Sequence, residues 1–400
     1  MTGRPARLEF VLALLLSSLG AACSAVPTGA ASVKFLRQML VLDPNEGCAV
    51  ADVDRDGDLD VIAGRHWYAA PEFVPRPVRL LEEWESYLKS NGEFALDVDG
   101  DGWTDVVSGS WMQGEVWWYR NPGAEGLARG RLWEPRLLKD TGVVNNEVAF
   151  LRDLDGDGTP EWVVNSWIKD APFLAWKLAR DASGRPTLEK AVIGVKGSGH
   201  GIGFGDLNGD GREDILVGQG WYERPVGDPF ARPWTFHPDW SLHASCPMIV
   251  ADVNGDGRND ILWGKAHEYG LYWLEQLPPG PDGKLRWKER LIDRSWSQPH
   301  VLEWTDLDGD GRPELIAGKR VRAHDKGDPG NTDPPCLYYY TVHRSGGTFT
   351  RHVIDEGGAG VGMQIRVADL DGDGRPDLVA PGKSGTYLFF NQGLPRPPRR

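Results

Sequence analysis

The stretch "GHGIGFGDLNGDGREDILVGQGWYERP", residues 199–225, sets a run of acidic and amide side chains between two short apolar segments, with a histidine before them and a tryptophan after. Its centre, "DLNGDGRED" from Asp206, is one of seven copies of a single loop. The others are "DVDRDGDLD" from Asp52, "DVDGDGWTD" from Asp97, "DLDGDGTPE" from Asp153, "DVNGDGRND" from Asp252, "DLDGDGRPE" from Asp306 and "DLDGDGRPD" from Asp369. Successive starts lie 45, 56, 53, 46, 54 and 63 residues apart, the period expected when each repeat is a four-stranded blade.

The spacing within the loop carries chemistry. Oxygen side chains at positions 1, 3, 5 and 9, with a glycine at position 6 that permits a sharp turn, converge on one hard cation and suit the oxygen-rich shell of calcium. The expected ligands are Asp52, Asp54, Asp56 and Asp60; Asp97, Asp99, Asp101 and Asp105; Asp153, Asp155, Asp157 and Glu161; and Asp206, Asn208, Asp210 and Asp214. The last three loops add Asp252, Asn254, Asp256 and Asp260; Asp306, Asp308, Asp310 and Glu314; and Asp369, Asp371, Asp373 and Asp377. An EF-hand shares the first half of this pattern but needs a Glu at position 12 and flanking helices. Here the flanks are short β-type runs such as "CAVA" and "VIAG" around the first loop. Solvated acidic turns could explain one or two copies, but seven filled sets leave that alternative little room.

Charge agrees with this reading. The 400 residues carry a formal net charge of -14, which seven divalent ions would cancel, turning carboxylate repulsion into attraction and coupling ion binding to folding. The same acidity argues against a nucleic-acid partner, whose phosphates it would repel. With 51 Gly, 29 Pro and 18 Trp and no long amphipathic helical pattern, the chain reads as all-β.

These loops resemble the FG-GAP, or VCBS, repeat of calcium-binding β-propellers, including the integrin α-subunit head. The resemblance implies that the Asp, Asn and Glu positions are calcium ligands, with up to seven Ca2+, in the hairpin joining the first and second strands of a blade. Glu161 and Glu314 depart from the usual ninth-position Asp, and Asn208 and Asn254 lower the charge of repeats four and five, which should bind more weakly. Segments "RPVRLL", "RLWEPRLL", "LEKAVIG", "RPWTFH", "RWKERLI" and "FTRHVI" read as outer strands. After the seventh loop only two strand-like segments remain. "VKFLRQMLVL", residues 33–42, would therefore complete the last blade. The expected fold is a seven-bladed β-propeller of four-stranded blades over residues 33–392, its ring closed by that N-terminal strand and no sheet edge left open.

Residues 1–25 read as an export signal, with Arg4 and Arg7, an apolar run from Phe10 to Leu16, and small residues before Cys23. Lipoprotein processing at Cys23 and ordinary cleavage after Ala25 both fit. No run is long enough for a permanent span, so the expected location is periplasmic, extracellular or lipid-anchored. Cys48, Cys246 and Cys336 allow at most one disulfide.

A residue six positions before the first loop acid lies about 20 Å away along a strand, at the opposite face. That position holds Glu46, Asn91, Glu147, His200, Cys246, His300 and Met363, expected to ring the mouth of the channel. A slip of one would substitute Asn45, Ser90, Asn146, Gly199, Ser245, Pro299 and Gly362. Second strands return to the same mouth near His66, Trp111, Trp167, Trp221, His267, Lys319, Arg320 and Lys383, giving aromatic faces suited to sugar rings and cations suited to a carboxylate or oxyanion. Inter-blade packing competes as the role of the tryptophans, and a polar ring also suits a water-filled channel. "DKGDPGNTDPP", residues 325–335, is a polar insertion near that mouth.

Two functional classes follow. One is a binding module for a carbohydrate, another small polar ligand or an extracellular protein. The other is a sugar lyase or dehydratase, with His200, His300, Glu147 and Glu46 as base candidates and Lys and Arg as stabilisers. The opening stretch is also similar to the propeller part of aldos-2-ulose dehydratases, although 400 residues leave no room for further cupin domains. A transition metal on His200, His300 and Glu147 is a third reading, against which the separation of their blades counts.

Overall fold

The computed structural model describes residues 32–395 except Asn91, 169–170, 197–198, Cys246 and 323–326. The export segment and Cys23 lie outside the described residues, as do the ring positions Asn91 and Cys246. The architecture is all-β. In each repeat the ninth loop position begins the second strand: Asp60–Ala63, Asp105–Gly109, Glu161–Ser166, Asp214–Val217, Asp260–Gly264, Glu314–Lys319 and Asp377–Gly382. These strands are buried almost throughout, which is why "DVIA" and "DILWG" read as continuous apolar runs, not alternating ones.

Each second strand pairs antiparallel with a short first strand and with a third strand, forming a β-propeller with blades of four strands. Five sheets have four strands, and one has eight. The eight-stranded sheet consists of two four-strand runs carrying the Asp206 and Asp252 loops, joined where Gly203 and Phe204 pair in parallel with Met248 and Ile249. Glycine makes this approach possible, because a Cβ on Gly203 would lie 2.7 Å from the Met248 carbonyl oxygen and one on Gly205 2.4 Å from the Val250 Cβ. The N-terminal strand Phe35–Val41 pairs antiparallel with Gly385–Asn391 in the sheet of the Asp369 loop, at the outer position.

The core is divided among the sheets. Seven apolar clusters each draw on two neighbouring strand sets. One of them packs Cys48, Val61 and Tyr68 beside the first loop against Leu370, Val379 and Leu388 beside the last. Cys48 and Cys336 are buried free thiols.

Most outer strands fall where expected, at Glu134–Asp140, Pro186–Gly194, Arg286–Ser297 and Thr348–Glu356. In the first blade the outer strand is Val74–Pro77, so only the start of "RPVRLL" is strand, and the fourth blade has just Thr235–His237. Two elements were not expected: the hairpin Glu83–Trp84 with Tyr87–Leu88, and the helix Gly123–Ala128.

Candidate functional site

The seven loops share one backbone geometry. The first Asp accepts the main-chain N–H of the position 6 glycine in all seven, at 2.8 to 3.2 Å. Those glycines have φ between +81° and +97°, a left-handed conformation that a side chain resists. The ninth-position carboxylate faces inward. Asp60, Asp105, Asp214, Asp260 and Asp377 use one oxygen to accept the N–H at loop position 2 and the other to accept an N–H within one residue of the third strand's end. Glu161 and Glu314, one methylene longer, accept only the first of these. Burial drives these carboxyls upward, to about 7 for Asp105 and about 6 for Asp60, against the lowering effect of their N–H donors.

Electrostatics separates the loops. Cations satisfy the outward acids in five: Arg120 pairs with Asp99 and Asp101 at 2.6 and 2.5 Å, and Lys177, Arg212, Arg258 and Arg375 pair with Asp155, Asp210, Asp256 and Asp373. Among the described residues, the Asp52 and Asp306 loops show no such pair. In them burial, then the neighbouring carboxylates, raise Asp54 and Asp308, and Asp54 Oδ1 is buried without a hydrogen-bond partner. Carboxylate oxygens of Asp52, Asp54 and Asp60, and of Asp306, Asp308 and Glu314, lie within 4.8 Å of one another. An orphaned buried oxygen in a cluster of acids fits a hard divalent cation.

At the other end of the inner strands, four of the expected ring residues converge. Arg320 donates from Nε and Nη2 to Glu46 at 2.8 and 2.7 Å, and from Nη1 to Glu147 at 3.3 Å. The guanidinium therefore links chain segments from distant repeats. His200 Nε2 is 3.4 Å from Glu147 Oε1, and His300 Nε2 is 3.3 Å from Arg320 Nη1. All of these side chains are buried, as are Asn45, Ser90 and Ser245 of the one-residue slip, so burial does not choose between the two registers. Met363 is also buried, but it meets the ring through its backbone N–H to the Glu46 carbonyl.

His267, expected at the rim, joins them. Ring centroids of His200, His267 and His300 are 4.9 to 5.4 Å apart, and one nitrogen from each lies within 4.8 Å of the others. Nδ1 of His200 faces the Ser245 carbonyl, Nδ1 of His300 the Gln298 carbonyl at 3.3 Å, and Nδ1 of His267 Asp328 Oδ2 at 2.8 Å. Carbonyl and carboxylate oxygens only accept, so each Nδ1 carries a proton; Nε2 of His300 then accepts from Arg320, while Nε2 of His200 faces the Glu147 carboxylate. The separation of blades counted against a shared ion, yet one nitrogen of each of these three histidines lies within 4.8 Å of the others.

The charges around the cluster are set by neighbours. Burial raises the Glu147 carboxyl, but His200 and Arg320 outweigh it and hold the group down at about 2. Burial, reinforced by the Arg320 charge, keeps His300 well below the usual imidazole range. Trp167, 40% exposed, donates its indole N–H to Glu147 Oε2 at 3.1 Å and packs edge-on to His200. Lys383 sits 3.4 Å above the Tyr87 ring and 3.9 Å from Glu46.

The other rim expectations divide. Trp221 is buried at 3% exposure, stacked on His237 at 4.2 Å and bonded to Asp239, so it is a core ring and not an open platform. His66 packs near Tyr68, and Trp111 is half-buried. Tyr87 was missed because it arrives from a hairpin that breaks the repeat; Asp328 belongs to the 325–335 insertion expected near this mouth, but its contact with His267 was not foreseen.

Buried inter-repeat amides were missed too. Asn121 Nδ2 donates to the Val53 carbonyl, Gln276 Nε2 to Leu207 and Asn391 Nδ2 to Leu307, each reaching the preceding loop at 2.8 to 3.1 Å.

Four-stranded blades bearing acidic hairpins, with a polar cluster on their axis, define a β-propeller of loop-bearing repeats. The FG-GAP-like repeat matches residues 97–164, 153–217, 252–317 and 306–380, and the chain belongs to that family. No curated protein matches it. Among solved structures it is similar to BBS1N, crystallised in complex with ARL6DN, at 12% identity and TM-score 0.48, covering 90% of this chain and 97% of that one. It is also similar to the Vibrio cholerae biofilm matrix protein Bap1, at 12% identity, TM-score 0.44 and 88% coverage of both chains. A third is Saccharomyces cerevisiae Sqt1, at 9% identity and TM-score 0.47, covering 91% and 99%.

Proposed function

We propose that this chain is an exported, calcium-stiffened seven-bladed propeller that binds a carbohydrate or similar polyhydroxylated ligand at the mouth opposite its loops, through a divalent transition metal held by His200, His267 and His300. The observation that carries this reading is the convergence of one nitrogen from each of three imidazoles to within 4.8 Å, each ring held by an oxygen acceptor at Nδ1. Arg320 already meets Glu147 and His300 Nε2 at 3.3 Å, so what favours an ion is the donor set itself: three histidines are a common set for a catalytic zinc. When bound, such an ion supplies Lewis-acid polarisation of a ligand oxygen. Glu147 holds negative charge beside it, Arg320 fixes Glu147 and Glu46, and Trp167 offers an apolar face for a sugar ring. The seven-blade count treats the two halves of the eight-stranded sheet as separate blades. The Phe35–Val41 pairing and the cluster joining the first and last repeats support ring closure as a single domain over 33–392.

A second reading, a carbon–oxygen lyase acting on a keto or hydroxy sugar, is favoured by one observation: an ionised carboxylate, Glu147, stands 3.4 Å from His200 in that cluster. Cobalt(II) or zinc titration of the chelated, calcium-replete protein tests the metal, with His200→Ala and His300→Ala expected to abolish binding. Sugar binding and sugar turnover measured on the same variants separate the two readings, since turnover lost with binding kept identifies a lyase. Stoichiometric metal binding that survives both substitutions refutes the site.

A further inference from the structure

The insertion between the second and third strands of the Asp306 repeat reaches the same cluster and is firmly seated. Lys319, 1% exposed, donates to the Gly330 carbonyl at 2.8 Å, Ser297 donates to the same oxygen at 3.2 Å, and the Tyr269 hydroxyl donates to Asp333 at 2.5 Å. Gly330 has φ +76°, and a Cβ there would lie 2.2 Å from the Ser297 Oγ, a contact with no room to relax because Ser297 is fully buried. This seat brings Asp328 Oδ2 to 2.8 Å from His267 Nδ1.

We propose that Asp328 is a positioning residue for the three-histidine centre, so that seating residues 327–335 and presenting the third nitrogen are one event. This rests on the metal reading above. The three histidines are held differently. His200 and His300 are buried and anchor Nδ1 on main-chain carbonyls, which are fixed once the sheets form. His267 stands in the turn after the strand Asp260–Gly264, only partly buried, and its Nδ1 partner is a side chain from another repeat's insertion. A carboxylate on the far nitrogen selects the tautomer, fixes the ring plane and makes Nε2 a stronger donor to an ion. Without it, rotation of the imidazole would leave a two-histidine site.

The test uses the full chain in calcium, titrated with cobalt(II) and read by visible absorption and by competition with a chelator. Asp328→Ala is expected to weaken cobalt binding about 10- to 100-fold while the thermal midpoint stays at the wild-type value. Asp328→Asn, which keeps an acceptor oxygen but loses the charge, should fall between. Gly330→Ala, which displaces the seat without touching a histidine, should weaken binding in the same direction. Wild-type cobalt affinity in Asp328→Ala or in Gly330→Ala overturns the positioning role and leaves the three-histidine reading standing. Absence of cobalt binding in the wild type overturns both.

Discussion

At the residue scale, single atoms decide where chains can pass. Gly362 lies where the last repeat crosses the first, and a Cβ there would sit 2.3 Å from the Glu46 Cα and 2.7 Å from its carbonyl oxygen. Backbone cannot yield as a side-chain tip can, so Gly362→Ala should cost at least the about 1–3 kcal/mol of ordinary overpacking. It should also loosen the Glu46–Arg320 pair. Urea denaturation of the variant measures the loss; an unchanged midpoint would mean that the two backbones are not in contact. Glu303 offers a residue-scale test of electrostatics. Burial pushes its carboxyl up to about 7 against the lowering effect of Arg366, so the folded state favours the neutral acid. The penalty is absent below the unfolded value near 4.5, grows as pH rises toward 7, and is constant above. Glu303→Gln should therefore gain stability over the wild type between about pH 5 and about pH 8. A pH-independent offset between the two proteins would contradict the shift.

At the element scale, the loops and amides work as paired devices. Asn391 donates to the carbonyls of Leu307 and Pro376 at 2.8 and 3.2 Å, tying the last repeat to the loop before it. Truncation leaves the buried Leu307 carbonyl without this partner, so Asn391→Ala should destabilise by about 1–3 kcal/mol; Gln276→Ala and Asn121→Ala should behave alike. The loops themselves should differ in affinity. Those at Asp52 and Asp306 form no ion pair with Arg or Lys among the described residues, although the Arg76 charge opposes the rise of Asp54, whereas Arg212 and Arg258 pair with Asp210 and Asp256 in the two loops where Asn removes a charge. Calorimetry should find that Asp52→Ala and Asp306→Ala each remove a tight calcium, while Asp206→Ala removes a weak one. Equal losses would show that these Arg pairs do not compete with the ion.

At the scale of the whole molecule, the proposed calcium binding would make ion binding and folding one equilibrium. Each calcium that binds only the folded ring adds stability by mass action, so chelation should lower the thermal midpoint, and added calcium should restore it. A midpoint indifferent to chelator would remove the loops from the stability of the ring. The strand Phe35–Val41 bears on the same ring from the other end. It covers Gly385–Asn391, whose N–H and C=O groups would otherwise stand open as a template for another chain.

The repeat was legible because its information is local. A glycine at φ near +80° and acids two residues apart need no distant neighbour to define a turn, and a ninth acid opening a buried strand marks where that strand begins. Register followed by counting along the strands, which is how Glu46, Glu147, His200 and His300 were placed on one face. Folding alone decided that His267 and not Glu147 completes the nitrogen cluster, that Arg320 ties Glu46 to Glu147, and that Trp221 is core while Trp167 is rim. Those outcomes depend on side-chain length across a shared axis and on insertions, the Tyr87 hairpin and the Asp328 segment, that no period predicts. A periodic sequence specifies its period; what meets on the axis is set by the packing of chain segments hundreds of residues apart.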